Sequence, residues 1–70
     1  MPRYCVHKEA QSNGDHEVHN LDASCQFTPH YTNRIDLGSF PSCSGAVAAA
    51  KLHYSQSNGC VFCATACHTS

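Results

Sequence analysis

The sequence predicts a small α+β domain, in which a short β-hairpin or three-stranded antiparallel sheet packs against one helix and a zinc site staples the fold. A chain of 70 residues buries only about 60% of its unfolded surface, so its hydrophobic core is marginal. Cysteine and alanine make up a large share of its 41% hydrophobic fraction, which leaves few large side chains for a core. We therefore expect one domain over residues 1–70 that needs a metal or disulfide staple.

The N-terminal half is typical of a hairpin. Residues 3–8 contain Tyr and Val, which favour strands, and residues 16–19 form a second short candidate strand. Between them Asn13-Gly14 favours the positive φ angles of a tight turn. Residues 20–34 are polar and include a proline, so they predict a loop. Residues 35–38 predict a third short strand that ends at a glycine.

One helix is predicted over about residues 42–54. Ser42 can cap its N-terminus, and the alanines of residues 46–50 favour helix strongly. Four residues recur at helical spacing and predict a buried face: Cys43, Val47, Ala50 and Tyr54. A second Asn-Gly pair at residues 58–59 predicts a turn that ends this segment and leads into Cys60.

The C-terminal segment from Cys60 to His68 carries three thiols and an imidazole within nine residues. Its CxxC pair, Cys60 and Cys63, can place two thiolates on one side of a turn, each about 2.3 Å from a tetrahedral Zn²⁺. Two further ligands must come from elsewhere in the chain, and His19 and Cys25 are the candidates. A structural zinc site supplies about 10 kcal/mol or more of apparent binding energy, enough to decide whether so small a chain folds.

The last two potential ligands, Cys67 and His68, leave an alternative open. The pattern CxxCxxxCH could supply three thiolates to a site, with Cys25 or His68 as the fourth ligand and His19 outside the first coordination sphere. If Cys67 is not a ligand, a nearby cation would lower its pKa and make it a reactive thiol. Cys43, on the buried helix face, is expected to pack as a small hydrophobic residue.

The N-terminus and the charge restrict location and partners. No apolar segment follows Met1, so we expect no signal peptide, no membrane span and a cytoplasmic protein with reduced thiols. The rival interpretation is an exported miniprotein with three disulfides, for which six cysteines allow fifteen connectivities. The net charge is −1 with four Lys and Arg residues, and three thiolates with one Zn²⁺ would make it −2. Generic DNA binding is therefore disfavoured.

The order of these residues is similar to that of a known family, the Ada-type zinc domain, in the wider form that is appended to some nucleases. The similarity rests on Val18-His19, Cys25, Phe40 before an Ala-rich helix, and Cys60-Val61-Phe62-Cys63. Over its whole length the chain resembles a family of small, uncharacterised bacterial proteins, through residues 10–19 and 33–38 and the ending CxxCxxxCHTS. The first resemblance implies one Zn²⁺ held by His19, Cys25, Cys60 and Cys63.

These observations favour a zinc-stabilised binding module whose partner is a protein or a specific nucleic-acid feature. We expect Phe27, Tyr31 and Arg34 to be contact groups, and no small-molecule substrate is evident. Four protein ligands normally close a zinc site, and residues 16–19 have HExH spacing instead of the HExxH of metalloproteases, so we predict no enzymatic activity. The alternatives are zinc handling or thiol-based redox sensing through Cys67 and His68, and the exported disulfide miniprotein.

Overall fold

A computed structural model describes residues 1–69 of the chain. Its four strands and one α-helix confirm the small α+β class. The elements in chain order are β1 (Arg3–His7), β2 (His16–Asn20), a 3₁₀ turn (Tyr31–Asn33), β3 (Arg34–Ser39), α1 (Cys43–Ala50), β4 (Ser57–Gly59) and a second 3₁₀ turn (Thr65–Cys67).

Strands β1 and β2 form the predicted antiparallel hairpin, in which Cys5 is opposite His19 and Val6 is opposite Val18. Gly14 adopts a φ of 92° in the connection, a conformation that glycine takes without the steric cost of a Cβ atom. The Asn13 side chain accepts a hydrogen bond from the backbone N–H of Asp15 at 2.9 Å. The Asn-Gly pair therefore makes the turn that its sequence predicts.

The sheet has the strand order β3-β1-β2-β4, with one strand more than expected. β3 pairs antiparallel with β1, whereas β4 lies parallel to β2 along Ser57–Gly59. This segment is polar and contains Asn-Gly, so its composition predicts a turn. It forms a strand because its backbone pairs with the exposed edge of β2, and the hydrogen bond from Cys60 N–H to the Val18 carbonyl, 2.9 Å, continues that pairing.

The two central strands, β1 and β2, have buried side chains on both faces of the sheet. Side chains alternate between the faces of a strand, so Val6 and Val18 lie on one face and Cys5 and His19 on the other. All four are fully buried. The first face packs against α1 in a core formed by Tyr4, Val6, Val18, Cys43, Ala46, Ala50 and Ala64. The second face carries the chemistry described below.

Helix α1 is shorter than predicted and ends at Ala50. Leu52 and His53 donate to the carbonyls of Ala49 and Ala50, three residues back, so the chain tightens into a turn here. Tyr54 instead stacks on His16 of β2, with ring centroids 3.7 Å apart. None of the helices within residues 1–69 has the length and apolar run needed to cross a bilayer.

A disulfide joins Cys43, the first residue of α1, to Cys67 in the second 3₁₀ turn. This corrects two expectations, that all the thiols are reduced and that Cys43 only packs. It also differs from the rival interpretation, since the six cysteines form one disulfide instead of three and Cys5, Cys25, Cys60 and Cys63 are free. The bond ties the C-terminal segment to the helix across 24 positions of sequence.

Candidate metal centre

Four potential ligand atoms meet beside the second face of the sheet. They belong to His19 on β2, Cys25 in the loop after β2, and Cys60 and Cys63 after β4, and all lie within 4.8 Å of one another. The structure thus brings together the four residues that the sequence singles out. Three separate segments contribute to this cluster, so an ion there would link β2, the loop that follows it and the turn after β4.

Local hydrogen bonds fix each segment of the cluster. The bond from Cys60 to Val18 anchors the CxxC turn to β2, and the Ala64 N–H closes that turn by donating to the Cys60 carbonyl at 2.9 Å. On the other side the chain reverses directly after β2, where Asn20 accepts through its side chain from the Asp22 N–H at 2.9 Å. This reversal returns the loop that carries Cys25 to the end of the sheet.

Two of the six distances between the ligand atoms match a tetrahedral site, and all six are 4.8 Å or less. Zn–S bonds of about 2.3 Å and Zn–N bonds of about 2.0 Å imply that neighbouring ligands are roughly 3.8 Å apart for two sulfurs and roughly 3.5 Å for sulfur and nitrogen. The sulfurs of Cys25 and Cys60 are 3.9 Å apart, and the Cys63 sulfur is 3.5 Å from Nδ1 of His19. The residues therefore fit a metal ion of this size and coordination.

The environment of His19 keeps its imidazole neutral, as a metal ligand requires. Burial, together with a smaller effect of the neighbouring His7, lowers the pKa of its imidazole to about 4. Because a metal ligand must offer an unprotonated nitrogen, this environment removes the proton that would otherwise compete with a cation near neutral pH.

Two cysteines of the cluster have pKa values shifted in opposite directions. Burial opposes ionisation of Cys25, but hydrogen bonds from the Phe27 backbone and from Cys63, Cys60 and Thr28 lower its pKa. Burial raises the pKa of Cys63 to about 12, although the Asn20 N–H donates to its sulfur at 3.4 Å. One thiolate is thus stabilised by its neighbours while the next is disfavoured. A divalent cation would remove this conflict by stabilising all three thiolates.

The second nitrogen of His19 has an unusual environment. Its Nε2 atom is buried and has no hydrogen-bond partner among the described residues. The nearest carboxylate, that of Glu17 on the same strand face, lies 3.6 Å away. Histidines that bind a metal commonly direct their other ring N–H to a carboxylate, so this arrangement suits coordination through Nδ1.

The alternative ligands lie outside the cluster. Cys67 is occupied by its disulfide to Cys43, so in this structure it is neither a ligand nor a free reactive thiol. The Nδ1 atom of His68 is 3.0 Å from the Gly59 carbonyl and forms a hydrogen bond there. The CxxCxxxCH pattern therefore divides into a pair in the cluster and a pair that fixes the chain end.

The three expected contact residues have different positions. Phe27 is half-exposed and stacks on Phe62 with ring centroids 4.8 Å apart. Tyr31 is exposed and contacts His30. Arg34 is directed into the fold, where it donates to the Pro29 carbonyl at 3.1 Å. Of the three, Phe27 alone borders the cluster, because it follows Cys25 by two residues.

The sequence patterns do not point to the role of Glu17 at this centre, although its i, i+2 spacing to His19 on a strand places both side chains on one face. A disulfide of Cys67 with another cysteine is compatible with the sequence, but no local pattern identifies Cys43 as its partner.

No protein-family model matches this chain, and the comparisons found neither a curated protein nor a solved structure similar to it. The resemblances to the Ada-type domain and to small bacterial proteins therefore stay predictions from the residues named above.

Proposed function

We propose that the chain is a zinc-binding module in which one Zn²⁺ on His19, Cys25, Cys60 and Cys63 holds the fold together. The observation that carries this proposal is the convergence of one imidazole and three thiols from three segments, with all ligand atoms within 4.8 Å of one another. Sulfur-rich sets with one imidazole favour zinc over harder cations such as magnesium or calcium. Four protein ligands leave no open coordination position, which favours a structural role for the metal over a catalytic one.

The module would serve as a binding surface for a partner, and we favour a protein over a nucleic acid. The net charge of −1 becomes −2 when three thiolates bind one Zn²⁺, so the chain has no excess of cations for phosphates. Apolar side chains border the site instead, since Val61, Phe62 and Phe27 are all exposed. Exposed aromatic residues at a rigid site are typical of protein contacts.

Native mass spectrometry and circular dichroism test the zinc proposal. The purified chain should carry one zinc, and a strong chelator should remove it and unfold the protein. Cys63→Ser should abolish stoichiometric binding, whereas His68→Gln and His30→Gln should retain one zinc, because these two imidazoles lie outside the cluster. A folded, metal-free wild-type protein with unchanged stability would refute the proposal.

A second candidate function is redox-linked zinc handling, and the Cys43–Cys67 disulfide favours it. The bond anchors the segment that directly follows Cys63, so its reduction to two thiols by a dithiol would loosen that side of the cluster. Linkage requires the reverse effect too, since bound metal would then stabilise the oxidised form. A cytoplasmic location stays a prediction. In that reducing compartment the disulfide would persist only if bound metal stabilises the oxidised form strongly.

Competition with a chromophoric zinc chelator tests this second candidate. The zinc affinity should fall by about tenfold or more when the disulfide is reduced by a phosphine, and Cys43→Ala/Cys67→Ala should bind zinc with the lower affinity in both conditions. Equal affinities in the oxidised and reduced protein would reject redox-linked handling and leave the structural zinc site intact.

A further inference from the structure

An open groove adjoins the candidate metal centre. Its volume is about 290 Å³, and residues 23–27 together with Phe62 and Cys63 line it. Pockets for drug-sized ligands and cofactors commonly span about 300–1,000 Å³ and enclose most of their ligand. This groove lies at the lower limit of that range and is open on one side, which suits a single side chain of a partner.

Two aromatic rings form one wall of the groove. Phe27 and Phe62 stack at 25° with centroids 4.8 Å apart, yet 48% of Phe27 and 68% of Phe62 remain exposed. Stacking covers only one face of each ring, so the opposite face of each ring is available to a ligand. Aromatic faces carry negative partial charge and attract cations.

The floor of the groove has the same sign of charge. Cys25 and Cys63 line it, and with the proposed metal three thiolates around one Zn²⁺ carry a net charge of −1. The two segments that build the groove, residues 23–28 and 60–67, contain no Lys or Arg.

We infer that this groove binds an arginine side chain of a partner polypeptide, an inference that rests on the proposed zinc site. A planar guanidinium can stack on the free side of Phe62 while its five N–H donors reach the metal-bound thiolates of Cys25 and Cys63. The apolar rings cover its methylene groups. A phosphate in the same place would meet negative charge on two sides, so the groove disfavours nucleic acid.

NMR titration of the zinc-loaded, ¹⁵N-labelled full chain at low salt tests the inference. The probes are blocked Gly-Arg-Gly, its neutral citrulline and leucine analogues, and a thymidine hexanucleotide. The arginine peptide should shift amides of residues 23–27 and 61–63, and the citrulline peptide should bind about tenfold more weakly or not at all. Tighter binding of the leucine peptide or of the oligonucleotide would overturn the inference.

Variants of the exposed ring separate aromatic recognition from simple apolar contact. Phe62→Leu keeps an apolar side chain but loses the ring, so the arginine peptide should bind about fivefold more weakly. Phe62→Tyr should retain binding. Leu52→Ala, which is 87% exposed after the helix and does not line the groove, should bind as wild type. Equal binding by Phe62→Leu and wild type would refute the role of the ring.

Zinc content, measured by native mass spectrometry on the same samples, distinguishes the two proposals. A chain that retains one zinc but shows no shift with the arginine peptide would refute this inference alone. A chain that takes up no zinc would refute the metal site, and this inference with it.

Discussion

The carboxylate of Glu17 lies 3.6 Å from Nε2 of His19, the buried ring nitrogen that does not face Cys63. Both residues belong to β2 and lie on the same face of the sheet. At this distance the two atoms are not hydrogen-bonded, but the negative charge of the carboxylate favours a proton on Nε2 and so leaves Nδ1 free for a metal. Glu17 is thus a positioning residue for the proposed centre, although it contributes no ligand atom to the cluster.

Glu17→Gln should lower zinc affinity about tenfold or more, because it removes the negative charge that favours a proton on Nε2 of His19. Competition with a chromophoric chelator measures the change. Glu9→Gln is the matched control, since Glu9 is exposed and lies outside the cluster. Its carboxylate accepts a hydrogen bond from the side-chain amide of Asn33 at 2.8 Å. If both variants bind zinc as wild type does, Glu17 has no positioning role, and the assignment of Nδ1 as ligand rests on its 3.5 Å distance from the Cys63 sulfur alone.

Gly59→Ala should destabilise the protein by about 1–3 kcal/mol through overpacking. A Cβ atom at this position would lie 2.7 Å from the Ala64 carbonyl oxygen and 2.9 Å from the Cys67 backbone, and neither can rotate away. Urea denaturation at fixed free zinc measures the loss. In Gly45→Ala the nearest atom, at 2.9 Å, belongs to the Phe40 side chain, which can move. That variant should therefore stay within about 1 kcal/mol of wild type.

Removing the disulfide should cost about 3.5 kcal/mol of unfolding free energy, because the bond closes a loop of about 25 residues in the unfolded chain. Chemical denaturation of Cys43→Ala/Cys67→Ala at fixed free zinc measures it. A reductant should lower the stability of wild type to a similar extent and leave the double variant unchanged. A variant as stable as oxidised wild type would show that the bond adds no constraint.

Cys5 should make stability fall at alkaline pH. Burial raises the pKa of its thiol from 9.0 to about 11 in the folded protein, with smaller opposing effects of Arg34 and Asp36. A folded pKa above the unfolded one means that stability is complete below pH 9 and is lost as pH rises toward 11. Wild type should therefore lose about 2 kcal/mol more than Cys5→Ala over this range. Parallel pH profiles for the two proteins would contradict this assignment.

Local patterns predicted most of the fold. The Asn13-Gly14 turn and the flanking strands defined the hairpin, and the alanines defined the helix, because each depends on neighbours in sequence. The fourth strand was not predictable, since residues 57–59 have turn composition and pair only because β2 offers a free edge. The helix end was also missed, because Tyr54 stacks on His16 from a distant strand.

The chemistry available to this protein can be read from its residues: a CxxC turn, an imidazole on a strand, a loop thiol and a chain too short for a large core. How these groups are used depends on the three-dimensional fold. It brought His19 within 3.5 Å of Cys63 across 44 positions, paired Cys67 with Cys43 and placed Glu17 beside His19. The physical reason is that ligand types and turns are local properties, whereas the distances between ligands, and the choice of which thiols pair, depend on strand register and on packing between segments far apart in the chain.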